Sequence, residues 1–473
     1  MKKLVSLLLV LCMVLTMAAC GASAPAETPT EAPKQEAPKE EAPKVETPTE
    51  APAPELPKNV NIELWADMGI SEDVLKNAIA AFEKEYADYG YTVTLNKFAG
   101  SQRAALISGA IETNTLPALL LSAWFTTSDY VHQGLVADIT DIAESVKDDM
   151  YASTYNATLI DGKSYMVGLY QSYFGFIYNA DMMKEAGLGE FVPEDPYEVT
   201  CWTVDQMEND ILPALAEYVK GTEKYPIGFF AADNQADTFM MNWLTMLGGN
   251  LWKDGKSVAG DDANTIAALE KMISWTNAGL TNSNVITKSG AEVGGEFKNQ
   301  VSVLSSGQFT NYTANLAAME KGEIAKFDMR IAAIPVKKDG KDTVTMANYV
   351  YGASLMNNGK EDQMIVGREF IKWLLNNEEH LTAFNVNAIP CYASITEATA
   401  ASNPIYAGLA KVEPYIWDFT GGVAGYVSTR SLLFPELQAA FSGEKTAAEA
   451  LANYSKGANE VIQEYMDNSL VLN

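Results

Sequence analysis

The chain has 473 residues, of which 48% are hydrophobic and 20% charged, the balance of a globular protein long enough for more than one core. Its formal net charge of −28 argues against nucleic acid as a partner and against a polybasic hold on anionic lipid. Only 4 cysteines and 2 histidines occur, with no C-x-x-C and no Cys/His cluster, so a structural zinc site is not expected and no metal ligand is assigned.

In chain order, Lys2 and Lys3 come first, then an apolar run from Leu4 to Met17, then Ala18-Ala19-Cys20. A charged start, a short apolar stretch and a small-residue end make a secretory signal over residues 1–19. The ending resembles the bacterial lipobox, Leu-Ala/Ser-Gly/Ala-Cys, with Met17 in place of Leu. That resemblance implies cleavage before Cys20, lipidation there, and anchoring on the outer face of the cytoplasmic membrane. An ordinary signal peptide with a chance cysteine, or an uncleaved anchor, is the alternative. Cleavage removes two lysines and no acid, so the charge moves from −28 to −30. Residues 20–58 repeat Ala, Pro, Glu, Lys and Thr without an aromatic, as in Glu31-Ala32-Pro33-Lys34 and Glu36-Ala37-Pro38-Lys39. Such a segment cannot offset its ordering entropy by burial, and its prolines favour an extended spacer. A tether between lipid and body is expected.

From Asn59 on, the pattern is α/β. Ile62 to Trp65 reads as a short strand. Ser71 can cap a helix whose first turn holds Glu72 and Asp73, and Val74, Leu75, Ala78, Ile79, Phe82 and Tyr86 recur at helical spacing. Tyr91 to Leu95 reads as a strand, Arg103 to Ile111 as a helix, and Leu119 to Leu121 as a buried strand. This alternation predicts a parallel or mixed sheet with helices on its faces and ligands at the carboxyl ends of strands. Trp65 and Trp124 fall at two such ends. The Asp-Gly pairs at Asp161, Asp254 and Asp339 read as turns.

The order of motifs resembles the extracellular solute-binding proteins of ABC importers, in the large family that mostly binds sugars and oligosaccharides. Phe82-Glu83-Lys84-Glu85-Tyr86 is similar to its opening helix. Tyr130 to Thr140 (YVHQGLVADIT) resembles "Tyr-x-x-x-Gly-x-Leu-x-Asp-Leu-Thr", and Asp161-Gly162-Lys163-Ser164-Tyr165 resembles "Asp-Gly-Lys-x-Tyr". Ile177-Tyr178-Asn179-Ala180-Asp181 followed by Glu185-Ala186-Gly187 is the most specific match, and Gly443 to Leu451 resembles the closing helix. The resemblance implies a periplasmic-binding-protein-like α/β fold with a ligand cleft between two lobes. It places lobe 1 at 59–169 plus 352–395 and lobe 2 at 170–351 plus 396–473. Three hinge crossings are expected near Val167 to Gln171, Tyr351 to Ser354 and Tyr392 to Ala400. Cys201 and Cys391 then fall in different lobes, and two buried free thiols are expected, since a bridge would restrain the hinge.

No G-x-S-x-G, P-loop, G-x-G-x-x-G or H-E-x-x-H occurs, and no enzyme activity and no cofactor are expected. The 8 Trp and 22 Tyr point to sugar, whose apolar ring faces stack on aromatics while its hydroxyls pair with planar polar groups. Carried over position by position, lobe 1 offers Trp65, Asp67, Gln102, Arg103, Trp124 and Phe125. The first crossing offers Tyr170, Gln171 and Tyr173. Lobe 2 offers Trp243, Phe309, Asn311 and Tyr312, then Asn348 and Tyr351 before the second crossing. Trp417, Tyr426 and Arg430 complete the set; Arg430 is one of only four arginines. Ordinary core packing is the alternative for each aromatic. Three readings follow: a monomeric lipoprotein receptor that delivers an oligosaccharide to an ABC permease, a receptor for another small solute such as a polyamine, or a secreted hydrolase or adhesion protein.

Overall fold

Ser71 caps the first helix, as its position predicts: its hydroxyl accepts from the Val74 amide at 3.3 Å. The computed structural model describes residues 56–233, 236–335, 346–385 and 388–469. The signal peptide, Cys20, nearly all of the tether and the Asp339 turn lie outside the described residues.

Among the described residues, ten strands form one mixed sheet. Strands β1 (Asn61–Ala66), β2 (Thr92–Lys97) and β3 (Leu119–Ala123) run parallel in the order β2-β1-β3, separated in sequence by helices α1 (Glu72–Glu85) and α2 (Arg103–Thr113). After β3 the chain turns at once into α3 (Trp124–His132). The long strand β4 (Val167–Asn179) is buried along all 13 residues. Beyond it come β5 (Tyr225–Gly228), helix α4 (Ala236–Met246), helix α5 (Gly290–Lys298), β6 (Ser302–Gln308), helix α6 (Phe309–Glu320) and β7 (Met329–Ala332). Strand β8 (Met346–Leu355) returns antiparallel to β3 on one side and to β4 on the other. Helix α7 (Glu361–Leu375), the short strands β9 (Ile389–Pro390) and β10 (Ile416–Trp417), and helices α8 (Tyr426–Phe441) and α9 (Ala447–Asp467) follow, with further short helices between. The path across the sheet is β2-β1-β3-β8-β4-β6-β5, with β7 and β9 on β4 and β10 on β8.

The apolar faces of these elements bury into two large cores, and the α/β two-lobed fold expected from the sequence is present. One core joins Leu64, Phe82, Leu121, Val366 and Phe370 with Val167, Leu169 and Ala353. The other joins Phe176, Tyr178, Trp243, Leu304, Leu433 and Leu451. Strands β4 and β8 contribute side chains to both. Their tight pairing leaves no room at some positions. A Cβ on Gly352 would lie 2.2 Å from the Val167 carbonyl oxygen, just where the β4–β8 register shifts. Further along, Ile395 belongs to the first core and Phe419 to the second. Cys391 is a buried free thiol in the first core, and burial pushes its pKa up. Cys201, expected buried, is exposed and faces the Val199 carbonyl at 3.7 Å. Asp161 and Asp254 have φ of 50° in their turns, as the Asp-Gly pairs predict.

Candidate functional site

Three parallel strands and β6 end on the same space. Asp67 follows β1, Gly100 and Arg103 follow β2, Phe125 follows β3, and Gln308 closes β6. All of them line one cavity of about 250 Å³, together with Phe174 of β4, Thr238 and Phe239 of α4, Tyr349 and Tyr351 of β8, and Arg430 of α8. Residues on the first core's elements thus face residues on the second core's. Carboxyl ends of strands are the usual ligand position in such sheets.

Two charge pairs dominate this cavity. Asp67 and Arg103 pair on one wall. On the other, Arg430 donates from Nε to Asp237 Oδ2 at 2.6 Å and from Nη2 to Oδ1 at 3.1 Å. The Tyr426 hydroxyl also donates to Asp237 Oδ2, at 2.7 Å. Burial opposes the Arg430 charge, but Tyr349 and Asp237 outweigh it and hold its pKa above the ordinary value. The Arg430 guanidinium sits 5.1 Å from the Phe125 ring centre, and Phe125 stacks on Tyr349 at 4.7 Å. The Tyr351 phenol is pushed up to about 12, by burial first and then by Asp67. Each pair balances its own charge, so the wall is rich in hydrogen-bonding groups without net charge.

A second cavity of about 590 Å³ adjoins the first through Tyr351 and Gln308. Tyr170 lines it, stacked on Tyr351 with ring centres 4.7 Å apart, as do Gly69 to Ser71, Val74 and the α6 face of Thr310, Thr313, Ala314 and Ala317. A third, of about 330 Å³, lies on the other face of α6 and is lined by Asn311, Asn315, Ser306, Lys298 and the α5 glycines Gly290 and Gly294.

Of the residues expected at the site, Asp67, Arg103, Phe125, Tyr170, Asn311, Tyr351 and Arg430 line these cavities. The others stand elsewhere. Trp65 and Trp124 pack in a satellite core with Ile107 and Val131, and the Trp65 indole donates to Glu63 at 2.8 Å. Trp243 is fully buried among Phe176, Phe229 and Trp275, with its indole donating to Ser306 Oγ at 3.1 Å. Gln102 is exposed and accepts from the Ala99 amide. Gln171 and Asn348 bond each other at 3.1 Å in a buried network with Thr154 and Tyr173. Phe309, Tyr312 and Tyr173 share a third core, beside a void of only about 10 Å³ at Phe309 and Tyr173. Trp417 packs partly buried against the second core, and Tyr426 sits behind the wall on Asp237.

Sequence reasoning did not single out Phe174, Asp237, Thr238, Phe239, Gln308 and Tyr349. Strand periodicity could have found two of them. Side chains two apart share a face, so Tyr170 brings Phe174 and excludes Gln171 and Tyr173. In the same way Tyr351 brings Tyr349 and excludes Asn348. Nothing in the sequence marks Asp237 to Phe239.

Comparison with known proteins agrees with this fold. The model of the family described as bacterial extracellular solute-binding protein matches residues 69–380. No curated protein sequence matches the chain. Among solved structures, the sugar-binding protein MalE from the phytopathogen Xanthomonas citri superposes with a TM-score of 0.68 at 14% identity, covering 86% of this chain and 98% of that one. The GacH receptor of Streptomyces glaucescens, described unliganded and with acarbose, gives 0.67 at 15% identity over 87% and 100%. Maltose-bound MalE3 of T. maritima gives 0.66 at 15% identity over 84% and 98%. At these identities the likeness is one of fold.

Proposed function

Because the chain belongs to the bacterial extracellular solute-binding proteins, we propose that it is the lipid-anchored substrate-binding subunit of an ABC importer, which captures a carbohydrate, an oligosaccharide, by lobe closure and hands it to the membrane permease. The observation that carries the reading is the cavity lined by Asp67 and Arg103 on one side and on the other by Arg430, held from behind by the buried Asp237, with tyrosines between. Carboxylates accept and guanidiniums donate, so such walls can serve neighbouring hydroxyls in pairs, while Tyr351 and Tyr170 offer ring surface. A polyamine would want unpaired acids; here both acids are held by arginines. Names of the similar structures, which mention maltose and acarbose, point the same way. Among the described residues no helix is long and apolar enough to cross a membrane, so the proposed hold on the membrane is the lipid at Cys20. Lobes of 59–169 with 352–395, and 170–351 with 396–473, would rotate about β4, β8 and the segment after β9, as a monomer.

A thermal-shift screen against mono- and oligosaccharides tests this. A ligand at about 100 times its Kd stabilises the folded state by about 2.7 kcal/mol, enough to move the melting temperature by several degrees. The hit is then carried into calorimetry and small-angle scattering, where closure lowers the radius of gyration. Shifts with polyamines and none with any sugar would overturn the carbohydrate reading.

A further inference from the structure

The three cavities meet at one side chain. Gln308 lines all of them, whereas Tyr351 joins only the first and second, and Phe239 only the first and third. The helix that starts at the next residue, α6, divides the second cavity from the third. Thr310, Thr313, Ala314 and Ala317 form one stripe of it, while Asn311 and Asn315 lie about a third of a turn round the helix. The cleft is therefore a three-way junction with Gln308 at its centre. Its amide oxygen accepts from Thr310 Oγ1 at 3.3 Å, while its Nε2 donates to nothing among the described residues.

We propose that Gln308 is the branch-point contact of this cleft and that the ligand is a branched oligosaccharide, one limb in each cavity. This rests on the carbohydrate reading and narrows it. A linear chain can thread two of the cavities and leaves the third without a limb. The third has its own demand. Asn315 is only 2% exposed, its amide nitrogen reaches only Met329 Sδ at 3.7 Å, and its Oδ1 has no hydrogen-bond partner among the described residues. A buried acceptor without a donor is costly, and the Asn315 side chain belongs to the lining of the cavity that a sugar hydroxyl would enter. Volumes of about 590 and 330 Å³ give the second and third cavities room of small-ligand size, and the first adds about 250 Å³ between them.

The test is calorimetry with matched linear and branched tetrasaccharides of the gluco-, xylo- and manno- series, on the wild type and on Gly294→Trp. Gly294 lines the third cavity, and a Cβ there meets nothing within 4 Å, so the indole fills the limb's space without disturbing α5. The wild type should bind a branched isomer at least tenfold more tightly than its linear partner. Gly294→Trp should abolish the difference between the isomers, lowering the branched one at least tenfold and the linear one by much less. Melting curves confirm that the variant is folded; if it is not, Gly294→Leu takes its place. Equal affinity for both isomers, or a Gly294→Trp loss shared equally by both, overturns the branched-ligand inference alone. Binding of no isomer in any series overturns the carbohydrate reading beneath it.

Discussion

Asp129 should make the stability of this protein depend on pH in a direction opposite to that of most carboxylates. It lies on α3, is 6% exposed, and its Oδ1 has no hydrogen-bond partner among the described residues. Burial pushes its carboxyl from 3.8 up to about 7, against the pull of the Gly425 and Val427 amides at the start of α8 and of the Arg103 charge. In the unfolded chain the same group titrates at its ordinary value. Between the two pKa values the folded state holds a proton that the unfolded state has released. The stability that Asp129 contributes is therefore fully present below about pH 3.8 and is lost as pH rises through about 7. At about 1.36 kcal/mol per unit, that is on the order of 3 kcal/mol between pH 8 and pH 4.5. Urea unfolding of wild type and Asp129→Asn across this range isolates the group, because every other titration cancels in the difference. The stability of the variant relative to wild type should rise by roughly that 3 kcal/mol from pH 4.5 to pH 8. Parallel curves would mean that Asp129 ionises normally in the fold, and the account of its burial would be wrong.

The same residue shows how far the sequence could be read. Polar, and three places before His132 on α3, Asp129 looks like any exposed helical acid. Only the docking of α8, some 300 residues later, buries it. His132 follows the same logic: it is buried, with Nδ1 3.2 Å from Ser469 Oγ near the other end of the chain. What was legible is what local chemistry decides. The Ser71 cap, the parallel β1, β2 and β3 with their helices, and the closing helix all follow from spacing and caps within a few residues; Thr446 and Glu449 cap the last of these reciprocally. Cavity-lining positions were legible where a residue follows a strand, as with Asp67 and Phe125. Trp124, beside a strand end, and Trp243, within α4, line none of these cavities, because a large ring has both cavity and core to choose from. Sequence cannot say whether the cavity or the core receives it, and here the cores took both. Asp237, which holds Arg430 in place, gave no signal at all, since its partner is about 190 positions away.

Three further outcomes follow. Cys20→Ala should release the protein to the medium or leave it unprocessed, seen by fractionation and mass; a processed, membrane-bound mutant would sink the lipobox reading. Arg430→Met strands the 3%-exposed Asp237 carboxylate and should cost about 3–5 kcal/mol in urea unfolding, whereas Arg430→Met with Asp237→Asn should cost less. If the double variant is as damaged as the sum of the singles, the pair is not coupled and the wall is not built as described. Trp243→Ala separates core from cleft. The ring is 0% exposed, wedged among Phe176, Phe229 and Trp275, with ring centres 4.6, 5.1 and 5.7 Å away. Deleting it leaves a cavity and should cost about 3–5 kcal/mol, lowering the melting temperature by several degrees. Because it lines none of the three cavities, affinity per folded molecule should hold. Tyr351→Ala should do the reverse, since that ring forms wall in two cavities at once. Calorimetry and melting on both variants, with the ligand found by screening, decide it: a Trp243→Ala protein that melts normally but has lost its ligand would move that ring from the core to the site.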